Sequence, residues 1–148
     1  DHDYTKQRGR FELIAIYYNN LEALKTIMAN TSTNDIDVYG ITLLSYAIDN
    51  NNSKMLDFLL EKGADVESVD ANGNNLLHLA ATKGNMSVLK TIINNVMALS
   101  EDKKSKKSFV KKMASAKNSQ GKKPENIAKK FKNKKAARYL KKARKGKI

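Results

Sequence analysis

Two histidines, a scatter of carboxylates and a crowd of lysines are the side chains of this chain that could do chemistry. His78 invites a metal-ligand or general-base role, yet no second His and no Cys stands at ligand spacing from it, and His2 belongs to a loose terminus. With no cysteine in 148 residues, a disulfide framework, a thiolate zinc site and a cysteine nucleophile are all excluded. Asp35, Asp37, Asp65, Glu67 and Asp70 could pair as acid and base. They fall instead among turn residues, where Asp bonds its own backbone, and no nucleophile or oxyanion motif accompanies them. No Gly-rich phosphate loop, Ser-His-Asp set or HExxH run occurs. The chain reads as a non-enzyme, with no cofactor, no metal site and no small-molecule substrate.

The lysines are unevenly placed. Residues 1–100 carry 8 Lys+Arg against 12 Asp+Glu, and residues 101–148 carry 20 against 3, so the net charge of +13 divides into −4 and +17. Such asymmetry points to an anionic partner. A bias toward Lys codons would act on both parts equally and so does not explain it. Lys103, Lys104, Lys106, Lys107, Lys111 and Lys112 form its densest cluster and are the candidate anion-binding residues. Of the 20 cations, 18 are Lys, a hydrated point charge, whereas base readout and bidentate phosphate clamps favour Arg. Aromatic residues able to stack on bases are confined to Phe109, Phe131 and Tyr139 in this part of the chain. Sequence-specific nucleic-acid binding is therefore not expected. Diffuse attraction to a polyanion, an anionic membrane surface or an acidic protein is.

The elements that must position these side chains emerge from an internal period. The run Gly40-Ile41-Thr42-Leu43-Leu44-Ser45-Tyr46-Ala47 shares its register with Gly73-Asn74-Asn75-Leu76-Leu77-His78-Leu79-Ala80, and Gly40 to Gly73 is 33 residues. Leu56, Leu59 and Leu60 align with Leu89, Ile92 and Ile93 at the same spacing, and Asp37 with Asp70. Within a unit, Leu44, Ala47 and Ile48 mark a first helix and Met55, Leu56, Leu59 and Leu60 a second, which Gly63 stops. Neither helix can bury its apolar stripe alone, so neighbouring units must stack.

The stretch Asp70-Ala71-Asn72-Gly73-Asn74-Asn75-Leu76-Leu77-His78-Leu79-Ala80-Ala81 resembles the ankyrin repeat, whose pattern runs Asp-x-x-Gly-x-Thr-Pro-Leu-His-x-Ala-Ala. Asn75 replaces the Thr and Leu76 the Pro. The preceding unit keeps Thr42 and Gly63-Ala64-Asp65 but has Ser45 in place of the His. Upstream, Leu13 to Ile16 and Leu21 to Met28 match the helices without the motif, as an N-terminal cap would. Downstream, Asn118 to Ala128 restores it, with Pro124 in the family's Pro position, and Ala136, Ala137, Tyr139 and Leu140 build a last helix. Four units of one 1–148 domain result, at about 8–37, 38–70, 71–100 and 118–148. Gly73 to Gly121 is 48 residues, fifteen beyond the period, so a basic insert lies within 98–117. Phe109, Val110, Met113 and Ala114 in it suit a short amphipathic helix begun by Ser105 or Ser108, expected to lengthen the third loop finger.

The resemblance implies an all-α ankyrin-repeat solenoid of helix-turn-helix units with hairpin-like loop fingers, in which the motif His, here His78, ties loop to helix. Leu44, Leu56, Leu59, Leu77, Leu89, Ile92, Ile93 and Leu140 are expected in its core. It also implies a noncatalytic protein–protein interaction scaffold. The family's variable positions fall on Val38, Tyr39 and Ile41; Ala71, Asn72 and Asn74; and Ser119, Gln120 and Lys122, with Asp49, Asn50, Thr82, Lys83, Lys130 and Phe131 added from the first helices. Tyr39 and Ile41 stand out as apolar residues at finger positions. The finger acids would form a negative strip, able to meet a basic partner or the chain's own insert. A last unit must present a polar outer face, but capping asks for polarity rather than for one sign of charge. The expected partner is another protein, acidic ones included; the alternative is nucleic acid or anionic lipid held by the Lys-rich C-terminal third. A monomer is expected. So is a soluble chain, since no apolar run reaches the roughly 20 residues of a membrane helix. The chain begins at Asp1 without a methionine, as expected of a processed or trimmed form, so a targeting signal would lie outside it.

Overall fold

A computed structural model describes the backbone of residues 2–30 and 40–148, and the side chains from residue 10 onward within those spans. Val38, Tyr39, Asp35 and Asp37 lie outside the described residues. Among the described residues the chain forms nine α-helices and no strand: α1 (His2–Tyr17), α2 (Leu21–Ile27), α3 (Gly40–Asp49), α4 (Ser53–Glu61), α5 (Leu76–Lys83), α6 (Met86–Met97), α7 (Lys103–Ser115), α8 (Pro124–Lys130) and α9 (Lys134–Arg144). Eight of them make the pairs α1/α2, α3/α4, α5/α6 and α8/α9, and α7 stands between the third pair and the fourth.

One joint chemistry serves every pair. The turn between the two helices holds one residue in the left-handed region: Asn19 (φ 57°), Asn51 (54°), Gly84 (69°) and Lys132 (61°). An asparagine follows each of them. Asn20, Asn52 and Asn85 accept a hydrogen bond from the backbone N–H three residues on and so start α2, α4 and α6. Asn133 spends its amide differently, donating to the carbonyls of Ala81 and Thr82 at 2.9 and 3.0 Å and thereby tying α9 to the end of α5. Asn50 does the same for the first pairs, donating to the Ile16 carbonyl at 2.6 Å.

By its packing the chain divides into two compact units, Asp1–Asp65 and Val66–Ile148. In the first, α1 packs on α2 and α3, and α3 on α4. Ile16, Leu24, Met28, Leu43, Leu44, Ile48, Met55, Leu56 and Leu59 are fully buried there. In the second, α5 packs on α6 and α8, and α8 on α9, around Leu76, Leu77, Leu89, Ile92, Ile93 and Leu140. The core residues expected from the period are all buried, each contributing about 1.5–3 kcal/mol. Glu125, 5% exposed, holds the last pair together through an ion pair with Arg144 on α9, and Lys129 adds a second at 3.8 Å.

The insert forms the expected amphipathic helix but in another place. The 13-residue α7 does not lengthen a finger; it packs on α6 and α9, both second helices of their pairs. Val110, Met113 and Ala114 are the buried stripe that makes this possible. The helix begins earlier than Ser105 or Ser108 would start it, because Asp102 accepts from both the amide (3.0 Å) and the hydroxyl (2.8 Å) of Ser105. Those two bonds, the hydroxyl's foremost, hold the Asp102 carboxyl below the usual carboxylate range.

Candidate interaction surfaces

Two surfaces in the second unit collect the side chains that sequence singles out. The first is the edge formed by the third and fourth fingers. Each finger closes on an acceptor side chain: Asp70 Oδ1 accepts from the amides of Asn72 and Asn74, and Asn118 Oδ1 from those of Gln120 and Lys122. Gly73 and Gly121, both at φ 73°, complete the turns. The two fingers then bind each other, since Ser119 N–H donates to the Asn72 carbonyl at 2.9 Å and Asn118 Nδ2 to Asn74 Oδ1 at 2.9 Å. The extra residues between them therefore do not keep the two fingers apart.

His78 fastens this edge to the helices. Its ring is 1% exposed; Nδ1 accepts from the Asn75 amide at 3.0 Å, which leaves the proton on Nε2 to be donated to the Lys122 carbonyl at 2.8 Å. Burial pushes the ring's pKa below its ordinary value, against the opposing pull of the Lys122 carbonyl. Among the described residues no three His, Asp or Glu side chains converge as a metal site would require.

The candidate partner-binding residues separate on this frame. Ala71, Asn72, Ser119, Gln120 and Lys122 are exposed along the edge. Asn74 is half-buried and both ends of its amide are used within the fingers, so it positions the edge rather than presenting a free group. Ile41 is not on a finger: it lies in the first turn of α3, half-buried, because α3 begins at Gly40. Val38 and Tyr39 fall outside the described residues. Of the first-helix positions, Thr82, Lys83, Lys130 and Phe131 are exposed in this unit, and Asp49 and Asn50 in the other. The Lys130 ammonium stands 5.8 Å from the centre of the Phe131 ring.

The second surface is basic. Lys104, Lys107, Lys111 and Lys112 of α7, with Ser108 and Ser115, line an open groove of about 640 Å³ that Lys145 and Gly146 close from beyond α9. Spacings of three and four residues bring these lysines onto one face of the helix. Lys103 and Lys106 are not part of it, and Lys106 is half-buried. Gly146 permits the close fit, since a Cβ there would come within 3.0 Å of Lys111 Cδ. Ser108 and Ser115 are groove residues that the charge pattern does not mark, and Lys145, one of the basic residues of the C-terminal third, joins the α7 lysines there. The helical spacing of Ser108 and Ser115 with the lysines was available as a signal; the return of the chain end at Lys145 was not.

Comparison with known proteins agrees with these repeats. Residues 13–105 match the family model of ankyrin repeats in three copies. An ankyrin repeat domain-containing protein, M-T5, of Myxoma virus (strain Lausanne) is 30% identical over 78 residues, covering 53% of this chain and 16% of that protein. Ankyrin repeat protein T5 of rabbit fibroma virus (strain Kasza) is 36% identical over 66 residues, 45% of this chain and 14% of that one. An L-asparaginase of Dirofilaria immitis is 43% identical over 51 residues, which is 34% of this chain and 9% of the enzyme. The chain thus spans less than a fifth of the length of each of these relatives. With the helix pairs, the finger turns and the matched span in agreement, the chain belongs to the ankyrin-repeat family, whose members generally mediate protein–protein interaction and are generally noncatalytic.

Proposed function

We propose that this chain is a noncatalytic, monomeric scaffold that binds a partner protein along its fingers and first helices. The observation that carries this reading is the locking of the third and fourth fingers to each other and to His78. It leaves Ala71, Asn72, Ser119, Gln120 and Lys122 exposed on an edge already held in place, so little ordering cost falls on binding. The match to the asparaginase is too short a share of that enzyme to bring its chemistry here. Display selection or affinity capture tests the reading. A partner recovered by the intact chain is lost on combining Ala71→Arg with Gln120→Arg at unchanged thermal stability, and Tyr39→Ala with Ile41→Ser extends the scan to the second repeat. Capture that ignores both double variants rejects it.

A second reading is favoured by the basic groove: electrostatic binding of polyanions, nucleic acid or anionic lipid, through the Lys-rich C-terminal third. It calls for retention on heparin, with affinity for duplex DNA falling in log terms with log salt by a slope of roughly −0.9 per neutralised phosphate. Substituting Lys107→Glu and Lys111→Glu flattens that slope. Passage through heparin unretained at low salt removes this reading.

A further inference from the structure

The basic groove has a neighbour. A second groove, of about 490 Å³, runs between the segment that enters the third finger and α7; Val69 and Glu67 line it from the finger side, Phe109 and Met113 from α7. Ser108 and Lys112 line both grooves, so the two adjoin along the helix. The first is lined by lysines and serines; the second adds Val69, Val96, Phe109 and Met113 beside Glu67 and Lys112. Val69 is 55% exposed and Phe109 half-buried, so both keep apolar surface in water that an occupant could cover.

Every α7 wall of this pair of grooves belongs to the insert, and a repeat of regular length would have neither. The helix is also fixed in place: Asn75 Nδ2, buried, donates to the Met113 carbonyl at 2.9 Å. Asn75 is the residue that departs from the family's Thr, and the departure supplies the bond that anchors α7 beside the finger.

The two linings together restrict what fits. A chain of phosphates satisfies the lysines and leaves Val69 and Phe109 uncovered, and one lone aromatic makes a poor platform for successive bases. An apolar helix covers Val69 and Phe109 and leaves the lysines unmatched. Glu67 is the one carboxylate in either lining and stands on the apolar side, so incoming carboxylates are directed toward α7. Lys104 and Lys111 lie about 10 Å apart along the helix, the span of about three residues of extended chain.

We propose that the adjoining grooves on α7 bind an acidic peptide segment of a partner protein, its carboxylates on Lys104, Lys107 and Lys111 and one bulky apolar side chain between Val69 and Phe109. The proposal rests on the scaffold reading and adds to it the partner's chemistry and a docking place outside the finger edge.

Fluorescence anisotropy with three labelled probes tests it: a short glutamate peptide with one central phenylalanine, the same peptide with serine there, and a short oligothymidine. The phenylalanine peptide binds the intact chain about tenfold or more tightly than the serine peptide. Val69→Ser, a change at an exposed position, reduces that preference to near unity without altering the melting curve. Lys107→Glu with Lys111→Glu weakens both peptides. Equal binding of the two peptides, a preference that survives Val69→Ser, or oligothymidine binding as tightly as the phenylalanine peptide overturns the proposal. The scaffold reading stands or falls separately, since its partner is lost on the finger substitutions Ala71→Arg and Gln120→Arg whatever the peptides do.

Discussion

Asn75 does two jobs with one amide. Its oxygen accepts from the His78 N–H at 3.0 Å and starts α5, while its nitrogen donates to Met113 and holds α7. Threonine, the family's residue, can supply the cap but not the second bond. Asn75→Thr therefore preserves the start of α5 and removes one of the two donors to the Met113 carbonyl, which keeps only the Ala116 N–H at 3.4 Å, at a cost of about 0.5–1.5 kcal/mol. Denaturant unfolding measures the loss, and amide exchange localises it to residues 103–115; unchanged protection there would refute the anchoring role. His78 makes a prediction in pH. Burial favours the neutral ring, so the unfolded chain binds more protons than the folded one below the ordinary value of 6.5. The contribution of His78 is complete above that value and is withdrawn as the pH falls toward the lowered native one. A melting temperature that declines from pH 7 to pH 5, with a shallower decline in His78→Gln, is the expected result. The sequence marked both residues through the repeat motif. It could not show what they reach, because the partners of Asn75 and His78 lie 38 and 44 positions away, across the insert.

At the level of the helix pair, the left-handed joint decides how well each unit closes. Gly84 fits it at no steric cost and is needed there for a second reason: a Cβ would meet Asn133 Cγ at 2.5 Å. Asparagine tolerates the conformation at Asn19 and Asn51. Lys132 is the exception, a long side chain at φ 61° on an exposed turn. Replacing it by Gly relieves about 1 kcal/mol of backbone strain, and should raise the melting temperature by about 2–4 °C. A lowered midpoint would show that the joint is not strained. The pairing of helices was legible from the apolar period, and so was the buried stripe of α7. Its place was not: spacing within a segment shows that a helix has an apolar face, whereas the neighbour that covers it is set by packing between α6 and α9. The sites followed the same rule. Ala71, Asn72, Ser119 and Gln120 emerged on the finger edge because turn chemistry is local, while Ile41 left it because the start of α3 at Gly40 placed that residue in a helix.

For the molecule as a whole, charge follows the division into units. Residues 1–65 hold 6 Lys+Arg against 10 Asp+Glu, and residues 66–148 hold 22 against 5. A net +17 on the second unit opposes its own folding. Two lysines 10 Å apart in water repel by about 0.4 kcal/mol, and the lysine-lined groove brings several such pairs together. Screening is weak at 0.01 M salt, where the Debye length is about 30 Å, and substantial at 0.1 M, where it is about 10 Å. Raising salt across that range relieves on the order of 1 kcal/mol and lifts the melting temperature by about 2–4 °C. A bound polyanion acts by a different route, stabilising in proportion to its occupancy of the folded state. Heparin at low salt is thus expected to raise the midpoint beyond what sodium chloride of equal ionic strength achieves, and added salt to abolish the excess by competing for the lysines. The Lys107→Glu and Lys111→Glu chain should lose both the heparin increment and part of the salt increment, since the same side chains create the repulsion and receive the ligand. If the midpoint is flat in salt, or heparin adds nothing, the excess charge is dispersed over the surface rather than concentrated on α7.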